Sequence, residues 1–432
     1  MTPFSIIFVV TTSVAIFATN RKNAPFPVLC GICYLTMGQG IDIGPFSFHA
    51  YRIILLFALL RVFIKGEHKN YISNPVDRLV WLWAAWTLFA SLFHEYTPGS
   101  GPVFALGNIF NIIVAYFVFR LWCQTIEEVQ SLVKFLAIVL APIAIEMTLE
   151  KISGINSFAF LGGVPENVVI REGALRAQGP FRHPILAGTV GATCVPIMMS
   201  IWRSSRFLSV IGIVSGSTMV FASASSGPII SLVAGLACVM AWRFRRLTMK
   251  AFWIAFTTYV FIDLISSRPG YHVLVEKLAI VGGSTAYYRA RLLDTAIRHF
   301  DEWWLFGTDY TRHWIGPGLG SVINGNHMDI TNYYLGMGIN AGLLAIVILV
   351  MILWKCLRAT VNFINTPDTP ENYPVKHSIW CIFASLASHA LSSFSVSYFD
   401  QSLVFFWATV ALLTSYTFAR EIQQPIEGRG VV

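Results

Sequence analysis

Residues 331–355 read TNYYLGMGINAGLLAIVILVMILWK. After the polar Thr331-Asn332 pair, apolar and small residues dominate up to Lys355, a length that as helix covers the roughly 30 Å of bilayer hydrocarbon. Such a segment is read as a membrane helix with a polar entry. Immediately before it, residues 268–330 form the longest interval without a spanning pattern. That interval holds six basic residues (Arg268, Lys277, Arg289, Arg291, Arg298, Arg312), six acids and four of the ten histidines. Polar chemistry is concentrated where the membrane pattern stops.

The rest of the chain repeats the apolar motif. Of 432 residues, 55% are hydrophobic and 12% charged, with a mean hydropathy of +0.64; soluble domains carry about 25% charge. Windows of bilayer length fall near 3–19, 25–41, 49–65, 77–95, 102–122, 131–149, 183–202, 206–222, 226–242, 250–267, 331–355, 376–396 and 401–419. The expected fold is therefore an all-α polytopic membrane protein of 12–13 transmembrane helices. The first window lacks a basic leader and a small-residue cleavage site, so it is counted as a span and not as a removed signal peptide.

Lys and Arg accumulate in short cytoplasmic loops. Threading thirteen spans alternately puts Arg21/Lys22, Lys65/Lys69/Arg78, Arg120, Arg203/Arg206, Arg243/Arg245/Arg246/Lys250, Lys355/Arg358/Lys376 and Arg420/Arg429 on one side. The opposite short loops near 96–101, 222–225 and 397–400 contain no Lys or Arg. The N-terminus is then outside and the C-terminus inside, while a twelve-span version strands Arg21 and Lys22 or makes one window re-entrant. The organisation expected is N-terminal membrane helices (1–149), a first outer loop (150–182), central helices (183–267), a large outer loop with an amphipathic helix (268–330), and C-terminal helices with an inner tail (331–432). The net charge of +8 is scattered in short clusters without interleaved aromatics, which argues for topology and against nucleic acid. The seven cysteines lie in or beside apolar segments and read as small buried hydrophobes.

The first outer loop is rich in Gly and Pro, hence expected to be irregular, and ends with Arg171, Arg176, Arg182 and His183 before a helix opened by Pro184. Within the second, Leu292, Leu293, Ala296, Ile297, Phe300 and Trp304 recur with helical period on one face. Arg291, Asp294, Arg298, Asp301 and Glu302 mark another, and Arg289 stands at the N-terminal end. Arginines from two loops suit a diphosphate, because the planar guanidinium bonds phosphate oxygens bidentately and keeps its proton; snorkelling to headgroups is the plainer reading of any single one. Two or three of them can stabilise a diphosphate leaving group without a metal. A base for an incoming hydroxyl is the remaining need, and His327, beside Asp329, is the candidate. His327 and Asp329 without a third ligand are a weak metal signal, so no metal and no other cofactor is expected.

LRAQGPFRHPILAGTVGA (175–192) resembles the RA-x-G-x-F-x-x-P motif of the O-antigen ligase and O-antigen polymerase superfamily of bacterial membrane glycosyltransferases. SASSGPIISL, YYRARLLDTAIRHF…WWLFGTD and TNYYLGMGINAGLLA are similar to that family's later segments, in the same order, over the C-terminal sixty per cent or so of the chain. The resemblance implies a GT-C-like, metal-independent transferase in the bacterial inner membrane, its active site facing the periplasm and both long loops periplasmic. It also implies a donor glycan on undecaprenyl diphosphate and an acceptor that is a glycan or lipid A core, among membrane lipids, with a chain-length regulator and a flippase as further partners. Arg176 and Arg289 fall on the family's loop arginines, with Arg291 an alternative register and Arg171 and Arg182 beside them. His183, Asn332 and Tyr333 are acceptor-binding or structural. Where the family has His before Asn this chain has Thr331, so the base is His327 one helical turn earlier or Asp329; the family's acidic helix residue is Asn340 here.

Repeat-unit polymerase is the expected activity, with O-antigen ligase the alternative because DITNYYL looks more like exopolysaccharide polymerases than lipid A ligases. A secondary transporter is the reading from another class; it would need ionisable groups near the midplane, where Asp263, Glu146 and His389 are the candidates. A non-catalytic scaffold would leave the outer arginines individually replaceable.

Overall fold

The computed structural model describes residues 1–69, 71–94, 100–171, 173–265, 283–314, 328 and 330–427. The chain is overwhelmingly helical. In order run α1 (Pro3–Ala18), α2 (Pro25–Tyr34), a hairpin of β1 (Gly40–Ile43) and β2 (Phe46–His49), α3 (Ala50–Ile64), α4 (Pro75–Ala90), α5 (Ser100–Trp122) and α6 (Ile126–Ser153). A second hairpin of β3 (Val169–Arg171) and β4 (Ala174–Arg176) precedes α7 (Pro184–Met199), α8 (Arg206–Ala222), α9 (Ser226–Met240) and α10 (Thr248–Ile265). Then come α11 (Gly283–Arg298), the single turn α12 (Phe300–Trp303), α13 (Tyr333–Asn365), α14 (Asn372–Ser392) and α15 (Ser402–Glu427). A helix occupies each of the thirteen apolar windows. By length and composition, five helical stretches among the described residues can cross a membrane: 75–93, 101–122, 126–153, 226–265 and 333–365.

Local chemistry sets the boundaries. Proline opens α1, α2, α4 and α7, where its missing N–H costs nothing. Asn74 with Asp77 and Thr125 with Glu128 close capping boxes on α4 and α6, and Gly154 ends α6 in the left-handed region at φ 77°. The window at 25–41 proves too generous: α2 stops at Tyr34, and Gly38 and Gly40 lead into the hairpin instead. Gly38 lies against the backbone of Gly162 and Gly163, where a Cβ would clash at 2.3 Å, so this approach is reserved for glycine.

α7 is the centre of the bundle, with all but two of its sixteen residues buried, so it has no polar face. It touches α8 backbone to backbone: a Cβ on Gly191 would come within 2.5 Å of the Gly216 carbonyl oxygen, the small-residue contact membrane helices use. By contrast α10 has no buried residue and exposes Phe256, Phe261, Leu264 and Ile265.

Polar contacts divide the bundle into two ends. At one, Arg21 pairs with Glu128 at 2.5 Å and Arg61 with Glu67 at 2.9 Å, and Trp122 donates to Glu67. The same end joins Arg245, Arg246 and Lys376 to Asp368, and Ser378 to the Ser200 carbonyl. At the other, Gln401 donates to the Pro180 carbonyl, the Arg182 N–H to Asp400, Ala177 to the Ala222 carbonyl and Tyr333 to the Ser393 carbonyl. Among the described residues these contacts define a salt-bridged end and an opposite end to which both long connections contribute.

α11 carries part of its expected apolar face inward. Leu292 and Ala296 are buried with Trp303, Trp314, Leu335 and Ile339, which lays the helix over the start of α13. Ile297, Phe300 and Trp304 of the same stripe are instead exposed, at 56%, 40% and 47%; Trp303, outside the stripe, takes the inward position because the chain turns at α12.

Candidate functional site

The first long connection is largely irregular, as expected, but contains a 3-10 turn at Ser157–Leu161 and the β3–β4 hairpin. Its end is clamped by two carboxylates one helical turn apart on α6. Glu150, fully buried, accepts the N–H groups of Gln178 and Gly179 at 3.0 and 2.8 Å. Glu146 accepts from the Ser157 N–H at 2.9 Å, and Asn156 donates to the Gly179 carbonyl. Gly179 sits at φ 55° with Glu146 and Met147 against it, a conformation and a space that favour glycine. The clamp fixes the segment following β4, and with it Arg176 at the strand's last position.

Arg176 is 6% exposed; its Nη2 donates to Ser225 Oγ at 2.7 Å and its Nε to the Ser223 carbonyl at 3.3 Å. That serine-rich α8–α9 turn includes Ala224 at φ 43°, a non-glycine residue held in the left-handed region. Across the β3–β4 hairpin Arg176 pairs with Val169, and Arg171 with Ala174. From the second long connection, Arg289 on α11 reaches the same place: burial first, and then the nearby charges of Arg171 and Arg176, draw its guanidinium down to about 10. His183 joins them. Burial, then Arg176 and Arg171, push its imidazole down to about 4, which keeps it neutral near pH 7. Its Nδ1 accepts the Ile185 N–H at 3.2 Å and so caps α7, leaving Nε2 as the protonated nitrogen.

No protein-family model matches this chain, and no curated protein matches it.

The site thus gathers Arg171, Arg176, Arg289 and His183. Arg182 belongs elsewhere: its backbone N–H donates to Asp400 at 3.0 Å and its guanidinium lies 5.9 Å over the Phe399 ring. Arg291 is two residues from Arg289 on the same helix, and such positions do not share a face; it is absent from the groups that shift Arg289 or His183. Asn332 is 4% exposed and caps α13 by accepting the Leu335 N–H at 3.0 Å, and buried Tyr333 accepts from Trp407 Nε1 at 3.2 Å. His327 and Asp329 lie outside the described residues.

α13 is two helices joined across a kink. Backbone torsions leave the helical region at Ala341 (φ −155°) and Gly342 (φ 78°, ψ 175°), directly after Asn340. The 303–308 turn fills the break: Leu343 donates to the Trp304 carbonyl at 2.8 Å, Thr308 to the Ile339 carbonyl at 2.7 Å, and Trp86 Nε1 to the Ala341 carbonyl at 2.7 Å. Backbone groups freed at membrane depth must be satisfied inside the protein, and here WWLFGTD and the Trp86 indole satisfy them. Its Gly307, at φ 81°, would place a Cβ 2.4 Å from the Ile339 carbonyl oxygen.

The sequence reading missed Glu150 and the role of Glu146, which it considered only as a midplane ionisable group. A carboxylate four residues from another, at the end of an otherwise apolar helix, was the available signal. His389 is likewise engaged, with Nδ1 2.8 Å from the Tyr398 hydroxyl.

Proposed function

We propose that this protein transfers a glycan from an undecaprenyl-diphosphate-linked donor to an acceptor sugar, as a repeat-unit polymerase of the O-antigen and exopolysaccharide type. The observation that carries the reading is the convergence of Arg171, Arg176 and Arg289 from two separate connections at one end of a charge-poor bundle. Like charges brought together under partial burial are unfavourable, and a bound diphosphate offsets that repulsion. In the membrane this end faces the periplasm, the helices make thirteen crossings of a GT-C-like arrangement in the bacterial inner membrane, and the lipid tail of the donor stays in the bilayer.

In the reaction the acceptor hydroxyl oxygen attacks the anomeric carbon, the bond from that carbon to the diphosphate oxygen breaks, and the lipid diphosphate leaves with the electron pair. Arg176 and Arg289 stabilise the charge that develops on it. Neutral His183 donates from Nε2 to a phosphate oxygen. His327 takes the hydroxyl proton, with Asp329 orienting it or standing in for it. A flippase that delivers the donor and a chain-length regulator are the expected partners.

The test is transfer from a synthetic undecaprenyl-diphosphate oligosaccharide by purified protein in nanodiscs. A ladder of lengthened lipid-linked products supports polymerase activity; glycan appearing only on added lipid A core makes the protein a ligase. Arg176→Lys and Arg289→Lys keep the charge and lose the planar fork, so each removes most of the product. Near-normal product from both variants refutes the bidentate role.

A further inference from the structure

We propose that His299, Glu302 and His313 form a binding site for a divalent transition-metal ion of the zinc class, fastening the α11–α12 helices to the segment that follows them. His299 Nδ1, His313 Nε2 and a Glu302 carboxylate oxygen all lie within 4.8 Å of one another. His299 Nδ1 is 2.7 Å from Glu302 Oε1, and His313 Nε2 is 2.9 Å from Oε2. Two imidazoles and one carboxylate are a donor set that suits zinc and its first-row neighbours and does not suit magnesium or calcium. His299 stands immediately before the single turn α12, Glu302 lies three residues on within that turn, and His313 comes from the 3-10 turn at Arg312–Trp314. Local spacing thus provides two ligands and a loop closes the third.

The geometry is held before any ion arrives. The His299 ring stacks on Trp314 at 5.1 Å between centroids and 12° between planes, and the His313 ring stacks on Tyr310 at 5.2 Å and 9°. Trp314, 3% exposed, donates its Nε1–H to Glu302 Oε2 at 2.9 Å, the kind of outer hydrogen bond that orients a ligating carboxylate. Around zinc, donors at about 2.0–2.1 Å from the metal stand roughly 3.3–3.5 Å apart, so the observed separations need widen by only about half an ångström to one ångström. The three side chains are 31%, 32% and 40% exposed, which leaves an entry path and room for water as the fourth ligand. The site shares no residue with the arginine cluster, and its test does not depend on glycan transfer.

The full chain, purified in detergent and stripped with a chelator that is then removed, is titrated with cobalt(II) as a spectroscopic stand-in and back-titrated with zinc. The expected result is one equivalent of cobalt giving a tetrahedral ligand-field spectrum, displaced by one equivalent of zinc. His299→Ala and His313→Ala abolish the stoichiometric spectrum. Trp314→Phe, which keeps all three ligands, weakens zinc by about 10–100-fold, and His94→Ala leaves it unchanged. Equal cobalt binding by wild type and the His299→Ala/His313→Ala double variant overturns the proposal, as does wild-type protein that takes up no stoichiometric metal. Thermal unfolding of each metal-free variant separates lost ligands from a lost fold, and Trp314→Phe decides the case if a histidine variant does not fold.

Discussion

Glu150→Ala tests how the arginine-bearing loop is held. The wild-type carboxylate is fully buried and accepts two backbone N–H groups, from Gln178 at 3.0 Å and Gly179 at 2.8 Å. Alanine leaves both donors buried without that partner, and an unsatisfied buried group costs about 1–3 kcal/mol. Two of them give a destabilisation of roughly 2–6 kcal/mol, a large part of what a folded domain has to spare. Glu150→Gln keeps an oxygen for the same donors and loses the charge assistance, so its loss is about half as large. The assay is denaturant unfolding in detergent micelles followed by tryptophan fluorescence, with wild type and both variants run together. Transfer activity falls in both variants further than the folded fraction does, because the loop also positions Arg176. A Glu150→Ala variant within about 0.5 kcal/mol of wild type, the range of a featureless surface substitution, refutes the clamp. A variant that is destabilised and yet fully active per folded molecule would show that the clamp does not reach the arginine.

Three further outcomes are expected. Gly342→Ala puts a Cβ 2.0 Å from the Leu305 carbonyl oxygen at a φ of 78°; strain of about 1–3 kcal/mol plus the clash lowers the melting temperature, and an unchanged melt would remove the reasoning about the break in α13. His183 has its folded value depressed from 6.5 to about 4, so the unfolded chain binds its proton first and stability falls as pH drops from about 6.5 towards 4. His183→Gln flattens that part of the melting-temperature profile, and an identical slope in the variant contradicts the assignment. Single cysteines at exposed Glu166 and Ser204, in a background lacking the seven native cysteines, are labelled by an impermeant reagent from outside only at 166; labelling at 204 alone inverts the topology.

What the sequence determined by itself is the part of the fold that depends on short-range rules. Bilayer-length apolar windows, Pro184 at a first turn and the clustered Lys and Arg are each readable within a few residues, and a helix stands at every window. The arginines were legible as a type, since few other charges compete in so apolar a chain. Which arginines meet was decided by tertiary structure. Arg176 and Arg289 are held by the Glu150 clamp and by α11, and Arg182, six residues from Arg176, is drawn to Asp400 instead. The break in α13 was equally hidden, because its hydrogen bonds come from Trp304 and Thr308 and its conformation from Gly342 in an otherwise helical pattern. Apolar periodicity reports which surface a helix buries, and it carries no information about which distant backbone or carboxylate will complete a buried polar group. Those pairings exist only once the helices have packed.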